Sequence, residues 1–105
     1  MTNNDYTAVK QLRDAITNQL PRLGDAEKSQ QCWLLGTTGC HLCDIAEGLM
    51  RQLAAVEPIH YHYVDISDFD EALMMQLATA IPVILTPTQR LDYPFSVLDL
   101  QQLIV

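Results

Sequence analysis

The chain has 105 residues, enough for one domain with a modest hydrophobic core. Its residues are 49% hydrophobic and 18% charged, a composition typical of globular proteins and not of disordered ones. The formal net charge is −7 with only 6 Lys and Arg, which argues against nucleic acid as a partner and disfavours an acidic membrane surface.

The N-terminal half is predicted to contain a helix, a strand and a second helix. Apolar residues at helical spacing begin at Tyr6, and Pro21 ends this first helix. Residues 1–30 are interpreted as a helical extension, packed against the sheet or used for association, and residues 31–105 as the main domain. The second helix is predicted over 41–56, with an apolar stripe formed by Leu42, Ile45, Leu49, Leu53 and Val56.

Four strands are predicted in all, together with two more helices. The first strand is the apolar segment Cys32–Leu35, and it is followed by 60–65, 81–85 and an edge strand at 90–93. A capping box at Ser67 or Asp68 is predicted to open the third helix, and Ser96 with Asp99 to cap the last one. This order predicts an α/β fold with a four-stranded mixed sheet, βαβ and then ββα, and helices on both faces.

Cys40-His41-Leu42-Cys43 follows the turn Gly36–Gly39 and opens the second helix. At a helix N-terminus, free backbone N–H groups and the helix dipole stabilise a thiolate, so Cys40 is predicted to be the nucleophile. Cys43 lies one turn deeper, where it can displace a mixed disulfide formed at Cys40. The motif therefore predicts thiol–disulfide exchange. His41 has two interpretations: an imidazolium that supports the thiolate, or a solvent-facing spacer.

The motif Gly39–Cys43, together with Tyr63–Asp65 and Ala80–Val83, resembles the glutaredoxin-like branch of the thioredoxin superfamily. The similarity is greatest to short bacterial proteins of that branch and covers residues 32–105. It implies a thioredoxin-like fold and a disulfide oxidoreductase that acts on a protein substrate. It also implies a cis peptide bond before Pro82, which would present the Ile81 backbone to a bound peptide. Gly39, His41 and Leu42 would then shape the site around the two cysteines.

The chain departs from true glutaredoxins where those proteins bind glutathione. Thr37 stands in the region of their basic residue, His41-Leu42 replaces their Pro-Tyr spacer, and Tyr93–Ser96 replaces their Gly-Gly pair and Asp. We therefore expect no bound cofactor and doubt a dependence on glutathione, although Ser96 and the last helix offer N–H donors. The electron donor is left open.

Two alternatives to redox chemistry come from the same residues. Cys40 and Cys43 could bind a metal ion or an iron–sulfur cluster, either between two chains or with His60 and His62 as a Cys2His2 set. The domain could also be a non-catalytic thioredoxin-fold module that docks through its N-terminal helix. Cys32 is predicted to be a buried core residue.

The compartment is predicted from the N-terminus and from cysteine usage. Residues 1–5 are polar and lack the basic start and apolar stretch of a signal peptide, and no apolar run is long enough to span a membrane. We therefore expect a cytoplasmic protein without a membrane partner. In a reducing compartment, two close cysteines are more often catalytic or metal-binding than a structural disulfide.

Overall fold

A mixed sheet covered by helices on both faces forms the fold in the computed structural model, which describes residues 2–3 and 6–104. The strands of this part are β1 (Thr2–Asn3), β2 (Cys32–Gly36), β3 (Tyr61–Asp65), β4 (Val83–Leu85) and β5 (Arg90–Asp92). The helices are α1 (Tyr6–Gln19), α2 (His41–Val56), α3 (Glu71–Leu77) and α4 (Val97–Ile104). Short 3-10 turns occur at Pro21–Gly24, Lys28–Gln30 and Ile66–Asp68.

The strand order is β1-β5-β4-β2-β3. β2 and β3 are parallel, whereas β4 is antiparallel to β2 and to β5. The predicted α/β architecture and its four-stranded mixed sheet are thus confirmed in β2 to β5. The prediction of 90–93 as an edge strand is wrong, because Thr2 and Asn3 of β1 pair with Leu91 and Arg90.

Each face of the sheet has its own hydrophobic core. On one face, buried strand residues such as Trp33 and Leu85 pack with residues of α1 and α3, among them Val9, Ile16 and Leu73. On the other face, buried residues of the sheet pack against α2 and α4; this set includes Leu34, Ile84, Ala46, Met50, Leu53 and Leu100. The first helix is therefore one of the layers of the fold, which agrees with packing against the sheet. The division of the chain at residue 30 stays a prediction.

Arg13 ties α1 to the sheet. Its side chain is buried, and its guanidinium carbon lies 3.7 Å from the centre of the Trp33 ring. The guanidinium donates hydrogen bonds to the carbonyl oxygens of Leu85 at 3.2 Å, Ser29 at 3.0 Å and Gln31 at 3.1 Å. Burial lowers the pKa of Arg13 to about 10, so it stays charged at neutral pH.

The helix α2 has the predicted bounds but buries a different face. Its buried residues are Cys43, Ala46, Met50 and Leu53, whereas Leu42, Ile45 and Val56 are exposed to solvent. The predicted apolar stripe is therefore confirmed at Leu53 and at Leu49, which packs against the same core, and wrong at the three exposed positions. Cys43, Ala46, Met50 and Leu53 are spaced i, i+3, i+7 and i+10, so they lie on one face of the helix. This face packs against the sheet, where small Ala46 and flexible Met50 fit.

Helix caps differ from the prediction at α3 and agree with it at α4. The cap of α3 is Asp70, whose carboxylate accepts a hydrogen bond from the Leu73 backbone at 2.9 Å, and neither Ser67 nor Asp68 starts the helix. Those two residues belong instead to a 3-10 turn. At α4, Ser96 and Asp99 form the reciprocal capping box, with distances of 2.8 and 3.1 Å.

Candidate redox site

Cys40 and Cys43 form a disulfide across the first turn of α2, with their Cα atoms 5.2 Å apart. Cys40 is the N-cap residue of this helix, and its sulfur accepts a hydrogen bond from the Cys43 backbone N–H at 3.1 Å. The prediction that a helix begins at the first cysteine is therefore confirmed. The sulfur of Cys40 lies where the helix offers unpaired N–H groups.

Gly39 sets the direction in which the chain enters the helix. Its φ of +83° lies in the left-handed region, which glycine adopts without steric cost. The chain leaves β2 at Gly36, turns through 37–39 and delivers Cys40 to the start of α2. A local requirement of the backbone thus explains why a glycine precedes the motif.

The two cysteines differ in access to solvent. Cys40 is partly exposed, whereas Cys43 is fully buried against the sheet. His41 and Leu42 between them are both exposed. A large molecule approaching this surface would therefore meet Cys40 and the two spacer residues, and it would not meet Cys43.

Ile81 and Pro82 lie at the same end of the sheet as the cysteine motif. Val83 of β4 pairs with Leu35 of β2, so the residue before β4 is level with the end of β2 that leads into the motif. The Ile81–Pro82 peptide bond is cis, and Pro82 is buried. The Pro82 carbonyl oxygen accepts a hydrogen bond from the Tyr93 N–H at 3.1 Å, and this bond joins the segment to the end of β5.

Tyr63 was not singled out as a site residue by the sequence analysis. Its hydroxyl lies over Gly36, which has no side chain: a Cβ at Gly36 would be 2.6 Å from the Tyr63 hydroxyl and 3.1 Å from Cys43 Cβ. The hydroxyl of Tyr63, the backbone of Gly36 and Cys43 therefore lie next to one another. Burial raises the pKa of Tyr63, and the carboxylates of Asp65, Glu47 and Asp44 raise it further.

Asp65 lies beside Gly36, next to the region of Tyr63 and Cys43. It is opposite Gly36 in the pairing of β2 with β3, and its carboxylate accepts a hydrogen bond from the Thr37 hydroxyl at 2.9 Å. Burial alone would raise the pKa of Asp65, but hydrogen bonds from Ser67 and Thr37 outweigh burial and hold it below its usual value. This carboxylate is therefore ionised at neutral pH. Its position could be inferred only from the strand register.

The predicted Cys2His2 set is not present, because the two histidines and the two cysteines lie at opposite ends of β2. His62 is opposite Trp33 in the pairing, at the end of β2 remote from Cys40, and its ring hydrogen-bonds the Gln31 side chain. His60 precedes β3 and lies still farther from the motif. Across residues 2–3 and 6–104, no group of three His, Cys, Asp or Glu is arranged to hold a metal ion.

Cys32 is a core residue, as predicted. It is buried, it is not part of a disulfide, and burial raises its pKa to about 12. A thiol of this kind stays protonated and inert at neutral pH. In the part of the chain that the structure describes, no helix has the length and apolarity needed to cross a lipid bilayer.

Comparisons with known proteins agree with this geometry. Residues 31–104 match the family model of the glutaredoxin-like domain (DUF836). A search of curated proteins finds no match. Among solved structures, the chain is similar to a structural-genomics target protein, XcR50, from X. campestris. The identity is 32%, with a TM-score of 0.59 over 69% of this chain and 92% of the other. The predicted thioredoxin-like fold is confirmed.

Proposed function

Because the chain belongs to the glutaredoxin-like domain family, we propose that it is a thiol–disulfide oxidoreductase with Cys40 as nucleophile and Cys43 as resolving cysteine. One observation carries the proposal: the Cys40–Cys43 disulfide closes the first turn of α2, with one cysteine partly exposed and the other buried. Only an accessible cysteine can attack an outside disulfide. A second cysteine next to it can complete the exchange without a second substrate.

In the reduced protein, the Cys40 thiolate attacks one sulfur of the substrate disulfide. A Cys40–substrate disulfide forms, and the other substrate sulfur leaves as a thiolate that takes a proton from water. The Cys43 thiolate then attacks the Cys40 sulfur. The intramolecular disulfide forms again and the second substrate thiol is released. The substrate gains two electrons and the cysteine pair loses two.

A protein substrate fits the surroundings of Cys40 better than glutathione does. Ile81 lies at the same end of the sheet as the cysteine motif, and we propose that an extended peptide bound at Cys40 runs beside it. The exposed apolar side chains of Leu42 and Ile45 lie on α2 beside the motif and offer contact area to a large partner. We therefore propose a disulfide-containing protein as the substrate class.

The charges near the motif oppose glutathione, whose carboxylates need cationic or N–H donors. Asp44, Glu47 and Asp65 surround the region of Tyr63, and the cation nearest to them in the sequence, Arg51, is paired with Glu47 at 3.2 Å. A negative site repels an anionic tripeptide and attracts a basic segment of a protein. No resident cofactor is part of the proposal.

The proposal is tested with reduction of a protein disulfide, for example in insulin, by the reduced protein. Cys40→Ser is expected to lose this activity, because no other cysteine is accessible. Cys43→Ser is expected to accumulate a mixed disulfide at Cys40, visible as a mass increase of the substrate. Cys32→Ala is the matched control and keeps the wild-type rate, since Cys32 is buried and protonated.

Activity retained in Cys40→Ser, or loss in Cys32→Ala with the fold intact, contradicts the assignment of the cysteines. A stoichiometric metal ion that copurifies without chelators and is lost in Cys43→Ser would instead support metal binding. A glutathione adduct of Cys40 that forms as fast as the protein adduct would contradict the proposed substrate class.

A further inference from the structure

We propose that Tyr63 positions Cys43 for the resolving step: in the reduced protein the Tyr63 hydroxyl donates a hydrogen bond to the Cys43 sulfur. This inference rests on the proposed function, since it assigns a partner to the resolving cysteine. It concerns a residue 20 positions away in the sequence, on a different element of the fold.

The first argument is geometric. In the pairing of β2 with β3, Tyr63 is opposite Leu34 and Asp65 is opposite Gly36, so all four residues are on the face of the sheet that α2 covers. The Tyr63 ring runs along this face until its hydroxyl lies over Gly36. Cys43 Cβ lies over the same glycine from the helix side. The hydroxyl and the cysteine are therefore neighbours.

The second argument is the state of the hydrogen bonds around the sulfur. In this disulfide form the Tyr63 hydroxyl forms no hydrogen bond with a described residue, and because it is not a buried unpartnered atom, water can reach it. The Cys43 sulfur is bonded to Cys40. The other nearby hydroxyl, that of Thr37, is engaged with Asp65 at 2.9 Å. Reduction leaves Cys43 with a free sulfur beside a hydroxyl that no other described side chain engages, and a bond to the sulfur can replace a bond to water. The two groups can then satisfy each other.

The third argument is that a thiolate at Cys43 would be buried and would need a hydrogen-bond donor. Cys43 is fully buried, and burial disfavours its charged form. Asp44 and Glu47 of α2 and Asp65 of β3 face this region and oppose a second negative charge, while Arg51 is paired with Glu47 and His41 is exposed. A donor at the sulfur offsets these effects. The raised pKa of Tyr63 keeps its hydroxyl protonated at neutral pH, so it stays a donor.

During resolution, the Cys43 thiolate attacks the Cys40 sulfur of the mixed disulfide. The bond from Cys40 to the substrate breaks, the Cys40–Cys43 bond forms, and the substrate sulfur leaves as a thiolate that is protonated by water. Tyr63 keeps its proton throughout. Its role is to raise the thiolate fraction of Cys43 before the attack and to direct the sulfur, so it is a positioning residue.

The experiment measures the pKa of Cys43 in a background with one thiol, Cys40→Ser with Cys32→Ala, from the 13Cβ chemical shift of Cys43. Tyr63→Phe removes one oxygen and is expected to raise the pKa of Cys43 by about one unit, because hydrogen bonds to charged groups have this strength. Tyr61→Phe is the matched control. It removes the same atom from the same strand face, beside Cys32 at the other end, and is expected to cause no shift.

A kinetic readout in the otherwise wild-type chain separates this inference from the proposed function. Tyr63→Phe is expected to form the Cys40–substrate disulfide at the normal rate and to resolve it about tenfold more slowly at neutral pH. The rates are expected to converge at high pH. If no variant reacts through Cys40 at all, the proposed function fails, whereas the pKa comparison still tests the role of Tyr63.

An unchanged pKa of Cys43 in Tyr63→Phe overturns the inference, as does an equal shift in Tyr61→Phe. Gly36→Ala supplies a second test by another route. The added methyl group would lie 2.6 Å from the Tyr63 hydroxyl and 3.1 Å from Cys43 Cβ, so it would separate the two groups and raise the pKa of Cys43. A folded Gly36→Ala protein with the wild-type pKa would also contradict the inference.

Discussion

Arg13 is a charged residue in a hydrophobic core, and its contacts explain how the fold accepts it. Three carbonyl oxygens receive its N–H groups and the Trp33 ring covers its planar face. Arginine suits this position better than lysine, because its fork of donors reaches several acceptors and its plane stacks on an aromatic ring.

Arg13→Ala is expected to lower the free energy of unfolding by about 3 kcal/mol, because several hydrogen bonds and the ring contact disappear together. Urea denaturation followed by circular dichroism measures the change. Arg22→Ala is the control, since Arg22 is exposed and its loss is expected to cost about 0.5 kcal/mol or less. Equal effects of the two substitutions would contradict the assigned role of Arg13.

At the scale of single residues, the sequence predicts the placement of the two cysteines at the start of α2, but it does not predict that Tyr63 lies beside them. The cysteine motif can be predicted from a short segment, because residues 32–43 contain a strand, a turn with glycine and the start of a helix. The meeting of Tyr63 with Gly36 and Cys43 depends on the register of β2 with β3, which spacing along the chain does not specify. A glycine at the end of a buried strand was the available signal, since glycine there often marks a close approach.

The helix caps show where nearby residues in the sequence are enough to predict the start of a helix. The cap of α4 was predicted because Ser96 and Asp99 have the spacing of a capping box and no competing acid lies nearby. The predicted cap of α3 is wrong because the acids at 65, 68 and 70 could all serve as the N-cap. Asp65 caps the start of the 3-10 turn, which leaves Asp70 as the cap of α3. The predicted buried face of α2 is wrong at Leu42, Ile45 and Val56, because packing on the sheet selects which face is buried.

Ser96→Ala is expected to cost about 1 kcal/mol of the free energy of unfolding, because the backbone N–H of Asp99 loses its acceptor. Denaturant unfolding measures this loss. Thr79→Ala is a suitable control: Thr79 is exposed, lies after α3 and has no side-chain hydrogen bond within the described residues. A loss no larger than that of the control would show that the capping box does not stabilise α4.

At the scale of the whole molecule, the first helix is a layer of the structure. Val9, Ile16 and Leu23 of the first 30 residues are fully buried against the face of the sheet that carries Trp33 and Leu85. Removal of the first 30 residues would therefore expose the buried face of the sheet to water.

Deletion of residues 1–30 is therefore expected to unfold the domain. Its far-UV circular dichroism signal should fall, and the buried thiol of Cys32 should react with a thiol reagent that it resists in the full chain. Ile16→Ala is the milder companion variant, with an expected loss of about 3 kcal/mol. A truncated chain with native circular dichroism and a protected Cys32 would overturn this prediction.

The two-residue strand β1 has a consequence for the behaviour of the protein at high concentration. By pairing with β5, it covers backbone groups of a strand that would otherwise be open to a neighbouring molecule. The new edge is only two residues long, too short to template another chain. Within the described sheet, the other edge strand is β3, which has 5 residues. We therefore expect any strand-to-strand association of the folded protein to use β3.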